Sequence, residues 1–429
     1  MKKAFKGLVL TAALSTALAA CSKDETDKMD GMDHENMNHE NTDKNMGNSQ
    51  GSTEVSNDML AQFAAAPETM NENAAENVQV MNTKNTTRLD AQDPVRASVL
   101  VSQTIWPATH TESQPGTVIL VPDDSWQITL AAADLIHHPN NGPILVTDKN
   151  ELSTDTLNEI KRLNPKGNEE GTQVMIMGDL SEGVKSQLEG FQVEAIEETD
   201  PAQFAAAVDE KYASVSGDKY PESVIIVSAD EVAKAFSIPA INWIAHMPEP
   251  VLYVTKGGIP EATKQALGQR ENASLYLLGP DSVISKEIET ELNEYGKVTR
   301  IAGEDPVSTS IEFAKFKDEE TSFGWGLTEP GHGVSFVSSA TPDLALAAAP
   351  FSHLGKHAPV LWLEEGKVTE PVYDFLATIK PTFEEDPTQG PYNHGFIAGG
   401  QDSISFETQG ILDDKLEIVQ ADGEGHGSH

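Results

Sequence analysis

GPILVTDKNELSTDTLNEIKRL, residues 142–163, reads as a buried strand, a turn and an amphipathic helix. PILV is a short unbroken apolar run, the pattern of a strand covered on both faces. The chain writes this stretch again as EPVLYVTKGGIPEATKQALGQR (249–270) and again as APVLWLEEGKVTEPVYDFLATIK (358–380). Self-similarity at a fixed period decides the architecture before any single residue does.

Working outward, each copy lies in a longer common frame. Asp93-Pro94, Asp200-Pro201 and Asp305-Pro306 read as helix starts, because aspartate caps and proline suits the first turn. VRASVLVSQ, AQFAAAVDE and VSTSIEFAKF continue them at helical spacing. The strands TVILV, SVIIV and GVSFV follow, then the helical stretches DSWQITLAAADLIHH, DEVAKAFSIPAINWIAH and TPDLALAAAPFSHL. The Pro-led segment comes next and is read as the central strand. After its helix come TQVMIMGD, ASLYLLGP and HGFIAGGQ, strands that end at glycine. FQVEAI, KVTRIAG and KLEIV are read as the last strands, and EEDPTQGPY as an insertion in the third copy. From the early valine to the proline of the Pro-led strand the step is about 25 residues in every copy, and copies begin roughly 105–110 residues apart. Strands alternating with helices predict α/β units with mostly parallel sheets and right-handed crossovers.

The ordered motifs resemble the cell wall binding repeat 2 family. PDLALAAAPFSHL, APVLWL and FIAGGQDSIS of the third unit are similar to that family's Asp-Ala-Leu helix, Pro-Ile-Leu-Leu strand and Gly-Gly turn. DSWQITLAAADLIHH with PILVT, and PVLYVT with LLGPDSVIS, carry the likeness into the other two units. It covers residues 88–419. The resemblance implies three tandem Rossmann-like or Toprim-like units around a pseudo-threefold axis. It also implies noncovalent attachment to an anionic wall polymer. Where the family usually carries Asp-Arg-Tyr, this chain has Asp-Pro at all three places.

The division expected from this reading is a lipoprotein signal peptide (1–20), a disordered tether (21–87), repeat units at 88–195, 196–299 and 300–420, and a flexible tail (421–429). Lys2, Lys3 and Lys6 precede an apolar core too short to span a bilayer, the signal-peptide pattern. Leu18-Ala19-Ala20-Cys21 resembles a bacterial lipobox, which implies a diacylglycerol on Cys21. The chain is then expected on the extracytoplasmic face of the membrane, anchored by acyl chains. Cys21 is the one cysteine of 429 residues, so no disulfide forms within the chain.

The tether is polar and acidic, with too little apolar surface to offset its ordering entropy. Met29, Met32, His34, Met37, His39 and Met46 crowd thioethers and imidazoles together, a set that suits copper or zinc. A low-complexity spacer is the plainer reading of the same stretch, and His426 and His429 repeat the motif weakly.

With 68 acids against 29 bases, the formal charge of −39 argues against nucleic acid as a partner. Candidate polymer contacts lie beyond the carboxyl ends of the strands, where open α/β sheets bind ligands. These are Asp124, Ser125, Trp126, Thr147, Asp148 and Gly178 in the first unit, with Asp123 and Asp179 beside them. Thr255 and Gly279 are their counterparts in the second unit, and Ser338, Ser339, Gly399 and Gly400 in the third. Turn chemistry accounts for the same residue types. His137 and His138 read as helix-terminal cations, His353 and His357 as capping or packing groups with metal ligation as the alternative, and Trp126, Trp243 and Trp362 as packing. No nucleophile elbow, His-Glu-x-x-His or phosphate loop occurs. The resemblance implies wall-polymer binding, and the chain is expected to act as a binding protein rather than an enzyme. Metal handling through the tether, and an enzyme acting on wall glycans, are the alternatives.

Overall fold

Aspartate and proline start three helices as their chemistry dictates. The carboxylates of Asp93, Asp200 and Asp305 accept from backbone N–H groups in the first turns of Pro94–Ile105, Pro201–Val215 and Pro306–Lys315. Proline occupies the position where a missing N–H costs nothing. The computed structural model describes residues 56–421, apart from 72, 218 and 356.

The described strands are short and parallel. Strand β1 (Thr86–Leu89) precedes the first Asp-Pro helix. Strands β2 (Val118–Pro122), β3 (Ile144–Thr147), β4 (Val174–Met177) and β5 (Val193–Ile196) form a sheet in the order β3-β2-β4-β5. Strands β6 (Ser223–Ser228), β7 (Val251–Val254), β8 (Ala273–Leu278) and β9 (Gly296–Ile301) repeat it as β7-β6-β8-β9. The third group is β10 (Gly333–Ser338), β11 (Val360–Leu363), β12 (Thr382–Phe383), β13 (His394–Ala398) and β14 (Val419–Gln420). Its sheet runs β1-β13-β10-β11, so the fourth strand comes from the other end of the chain. The protein is thus α/β, with three all-parallel four-stranded sheets of one topology.

Three expectations need correction. First, the Pro-led strands occupy equivalent places but lie at sheet edges rather than centres. They are fully buried nonetheless, because an Asp-Pro helix packs on each. Their open edges are closed by side chains. Val146 N donates to Ser98 Oγ (3.0 Å) and Trp362 N to Ser310 Oγ (3.3 Å), both from Asp-Pro helices. Thr156 and Thr263 hydroxyls donate to the carbonyls of Val146 and Tyr253. An unpaired strand edge is a template for aggregation, and these hydroxyls remove it.

Second, KLEIV is not the last strand of the third sheet. The helix Phe406–Leu416 runs through Lys415 and Leu416 because Leu412 and Leu416, four apart, both face the core. Only Val419–Gln420 is extended, and it pairs with β12.

Third, the end of the expected tether belongs to the body. Asn57–Ala64 is a helix with Phe63 buried, packed on the helix Glu370–Thr378. Lys415 Nζ donates to the carbonyls of Phe63 (2.9 Å) and Ala65 (2.6 Å). Strand β1 starts at Thr86, before the expected boundary at 88, and the boundary at 299/300 falls inside β9.

Each short helical segment after a unit's first strand packs on the next unit's Asp-Pro helix. Trp126–Ala132 meets Pro201–Val215, Lys234–Ser237 meets Pro306–Lys315, and Asp343–Ala347 returns to meet Pro94–Ile105. These contacts close a ring with pseudo-threefold symmetry. One apolar core runs through all three units, and a smaller one, around Val99, Leu120, Leu145 and Ile160, lies within the first.

Candidate functional site

The three sheets end in equivalent crests. Asp123, Ala229 and Ser339 each donate their N–H to the neighbouring edge strand, at Thr147, Val254 and Leu363 (2.9 Å in each case). Gly178, Gly279 and Gly399 each leave the third strand with positive φ (72°, 122° and 143°). At Gly399 a side chain is also excluded by space, since an added Cβ would lie 2.4 Å from Ser403 Oγ. Glycine is the residue that meets both conditions.

The expected contact residues all stand at these crests, in three separate groups, one per sheet. Asp124 and Asp148 are exposed, Ser125, Thr255 and Ser339 are half-buried, and Trp126, Thr147, Gly178, Gly279, Ser338, Gly399 and Gly400 are buried. Most of them already serve the turns. Ser125 Oγ caps Ile128 N, and the Asp148 carboxylate accepts from Asn150 N (2.7 Å). Thr147 donates to the carbonyls of Asp148 and Glu151. Thr255 Oγ1 accepts from Gly257 N, Ser338 Oγ from Ala340 N, and Ser339 Oγ from Glu365 N. Gly400 is covered by Asp90 and Gln92.

The first crest carries exposed carboxylates at Asp123, Asp124 and Asp148. Lys149 Nζ lies 3.2 Å from Asp124. Partial burial, then the nearby charges of Asp148 and Asp124, holds Asp123 above its usual range. Trp126 turns away from solvent: its indole N–H donates to Glu231 (3.0 Å), and its ring meets Tyr253 edge-on at 6.3 Å. The Tyr253 hydroxyl donates to Gln127 O (2.7 Å). Trp362 occupies the place of Tyr253 in the third unit and donates to Ala235 O (2.8 Å). Lys234 bridges the second and third units by pairing with Asp343 (2.7 Å). Each crest therefore borders a joint between units. Trp243 packs on Phe323 and Trp325, and the three tryptophans are packing groups.

Two arginines were not singled out by the sequence reading. Arg88 and Arg300 occupy equivalent fourth-strand positions, and their guanidinium groups donate to the carbonyls of Gly399 (2.9 Å) and Gly279 (2.7 Å). They pin the glycine turns that shape the crests. The signal was there, because each arginine precedes its Asp-Pro pair by the same spacing. Ala195 stands in that place before Asp200.

The histidines differ most from expectation. His137, His246, His353 and His357 come from three units and meet where those units join. Ring centroids of His137 and His353 are 4.6 Å apart, those of His246 and His357 4.3 Å, and those of His137 and His246 6.1 Å. Burial and the neighbouring imidazoles push His353 down to about 3. Among the described residues, no group of three or more His, Cys, Asp or Glu is arranged to hold a metal ion. Cys21, Met29, Met32, His34, Met37, His39, Met46, His426 and His429 lie outside the described residues, as does the expected signal peptide.

Comparison with known proteins bears on what this ring is. Residues 300–409 match the cell wall binding domain 2 (CWB2) family. This segment is similar to that domain. The fold as a whole is similar to that of Cwp6 from Clostridium difficile, at 16% identity and a TM-score of 0.63, over 80% of this chain and 50% of that one. Cwp8 from Clostridium difficile is similar at 17% identity and a TM-score of 0.58, over 77% of this chain and 52% of that one. Amidase enhancer of Bacillus subtilis (strain 168) is 28% identical over 162 residues, 38% of this chain and 21% of that protein. The chain thus spans about half the length of those two structures and about a fifth of that curated relative. The matched segment contains β10, β11, β12 and β13, and the first two sheets repeat the topology of the third.

Proposed function

We propose that the protein is a lipoprotein, held at the extracytoplasmic face of the membrane through Cys21, that binds cell-wall polymer noncovalently at the strand-end crests of its three units. The observation that carries this reading is the CWB2 match in residues 300–409, in a ring that repeats the same unit twice more. The lipid anchor rests on Cys21 following Leu18-Ala19-Ala20.

Charge limits how the polymer is held. A formal charge of −39, with Asp124 and Asp148 exposed at the first crest, repels an anionic chain. Binding to an anionic polymer is therefore expected to need divalent cations, whereas a neutral glycan would bind through turn amides and hydroxyls without them.

The test is cosedimentation of the chain with purified Gram-positive walls, before and after the secondary polymer is stripped by mild acid, with calcium or with chelator. Cosedimentation lost on stripping supports the proposal, and loss on chelation assigns the anionic case. A chain left in the supernatant under every condition rejects it. For the anchor, Cys21→Ser is expected to move the expressed protein from the membrane fraction to the soluble one. An unchanged membrane fraction would overturn that part alone.

A further inference from the structure

The strongest unassigned feature is the meeting of histidines at the joint of the three units. His137 sits in the turn Ile136–Asn140, His246 follows the helix Ala240–Ile244, and His353 ends the helix Pro350–His353 with His357 close behind. Pro350–His353 packs on both other segments, and Ala240–Ile244 packs on Ala133–Leu135 just before the turn, so each unit contributes at least one ring. The rings touch edge-to-face or tilted, which suits neutral imidazoles and not neighbouring cations.

Around His353 the described residues offer no countercharge. His353 Nε2 lies 3.0 Å from Asn141 Oδ1, a neutral partner, and its Nδ1 has no hydrogen-bond partner among the described residues. The charges that act on His353 are those of His137, His246 and His357. His332, on the far side of His357, is held low by burial and by that ring, against the pull of Glu329. The packed elements bring other ionisable groups, each engaged elsewhere or fully buried. Pro94–Ile105 carries Arg96, which faces Asp155. Pro201–Val215 carries Asp209, paired with Arg270, Lys211, paired with Glu170 and Glu194, and Glu210, whose charge acts on Asp209. His138 and Tyr212 lie against each other. Asp134 is fully buried, and desolvation, then the charges of Asp209 and Glu249, holds it well above the usual carboxylate range. Glu249 accepts from Trp243 Nε1 (2.8 Å).

We propose that this histidine cluster is an acid-sensitive pin: the neutral rings of His353 and His357, packed on His137 and His246, hold the three units together at their common joint, and acidification charges them and drives the units apart. A single unit has no such contact, so the device belongs to the closed ring. The sign follows from linkage. A histidine held neutral in the folded chain titrates below its ordinary value near 6.5. Its contribution is complete above that value and is lost as pH falls toward the folded value. For each histidine so held, the ratio of folded to unfolded protein drops about tenfold per pH unit across that window.

The test uses the full chain and His353→Gln, followed between pH 7.5 and 4 by equilibrium unfolding and by the histidine proton resonances. Resonances of at least three of the 12 histidines are expected to stay neutral well below pH 6.5. The acid loss of stability is expected to be shallower in His353→Gln by about one tenfold step per pH unit. Parallel pH dependences for the two proteins, or ordinary titration of every histidine, would overturn the proposal. If His353→Gln does not fold, the resonances of the unaltered chain decide alone.

Discussion

Asp209 and Arg270 show what a single buried charge demands of its neighbours. Both side chains are out of solvent, and the guanidinium holds the carboxylate through two bonds (2.6 and 2.9 Å). Desolvation still raises Asp209 above its usual range, with Arg270 pulling the other way. Asp209→Ala leaves a buried guanidinium unpaired and is expected to cost about 3–5 kcal/mol in denaturant unfolding. Glu249 behaves differently, because Lys317 acts on it only as the weakest of several influences. Burial pushes it up to about 7, against the Trp243 hydrogen bond. A raised carboxyl contributes stability that is complete below its unfolded value near 4.5 and is lost as pH rises through about 7. Glu249→Gln keeps the acceptor for Trp243 without the charge. It is expected to flatten the fall in stability between pH 4.5 and 8 and to be the more stable protein at pH 8, by up to about 3 kcal/mol. Identical pH profiles for the two would show that Glu249 is not held neutral.

At the scale of elements, the edge strands β3 and β11 depend on single side-chain acceptors. Ser98 Oγ is the acceptor for a buried edge N–H, so Ser98→Ala strands that group. It is expected to lower stability by about 1–3 kcal/mol with no change in denaturant sensitivity. Unfolding at the unaltered midpoint would show that another group satisfies Val146. The strands PILV, PVLYV and VLWL were legible because unbroken apolar runs repeat in register. Their place at the edge was not, since burial by helices and burial by flanking strands leave the same apolar signature. TTRL was not legible as a strand at all. It is short, polar and adjoins an acidic stretch, and only its partner β13, some 310 positions along the chain, makes it one. KLEIV reads as the last strand of the third copy, yet β1 fills the fourth place in that sheet. The candidate contacts were legible as strand ends. Their burial was not, because it depends on the neighbouring unit's side chains, as Trp126 on Glu231 and Gly400 on Gln92 show.

The three α/β units form a ring closed by β1. Asn85 ties that strand to the helix Phe406–Leu416 through Asp413 (2.7 Å) and to Glu417 beyond it (2.7 Å), while Arg88 reaches Gly399 and Ser405. Closure places one strand-end crest at each joint and brings histidines of all three units together. Both the proposed polymer binding and the acid-sensitive pin depend on it. The most direct test is hydrogen exchange at Gly395 and Gly399, whose N–H groups donate to Asn85 and Leu89 (2.9 and 3.1 Å). In the full chain both amides are expected to exchange as slowly as those inside β6. In a chain beginning at residue 90 both are expected to exchange at least a hundredfold faster, about 3 kcal/mol of lost protection. Equal protection in the two chains, or fast exchange in both, would contradict closure by the N-terminal strand.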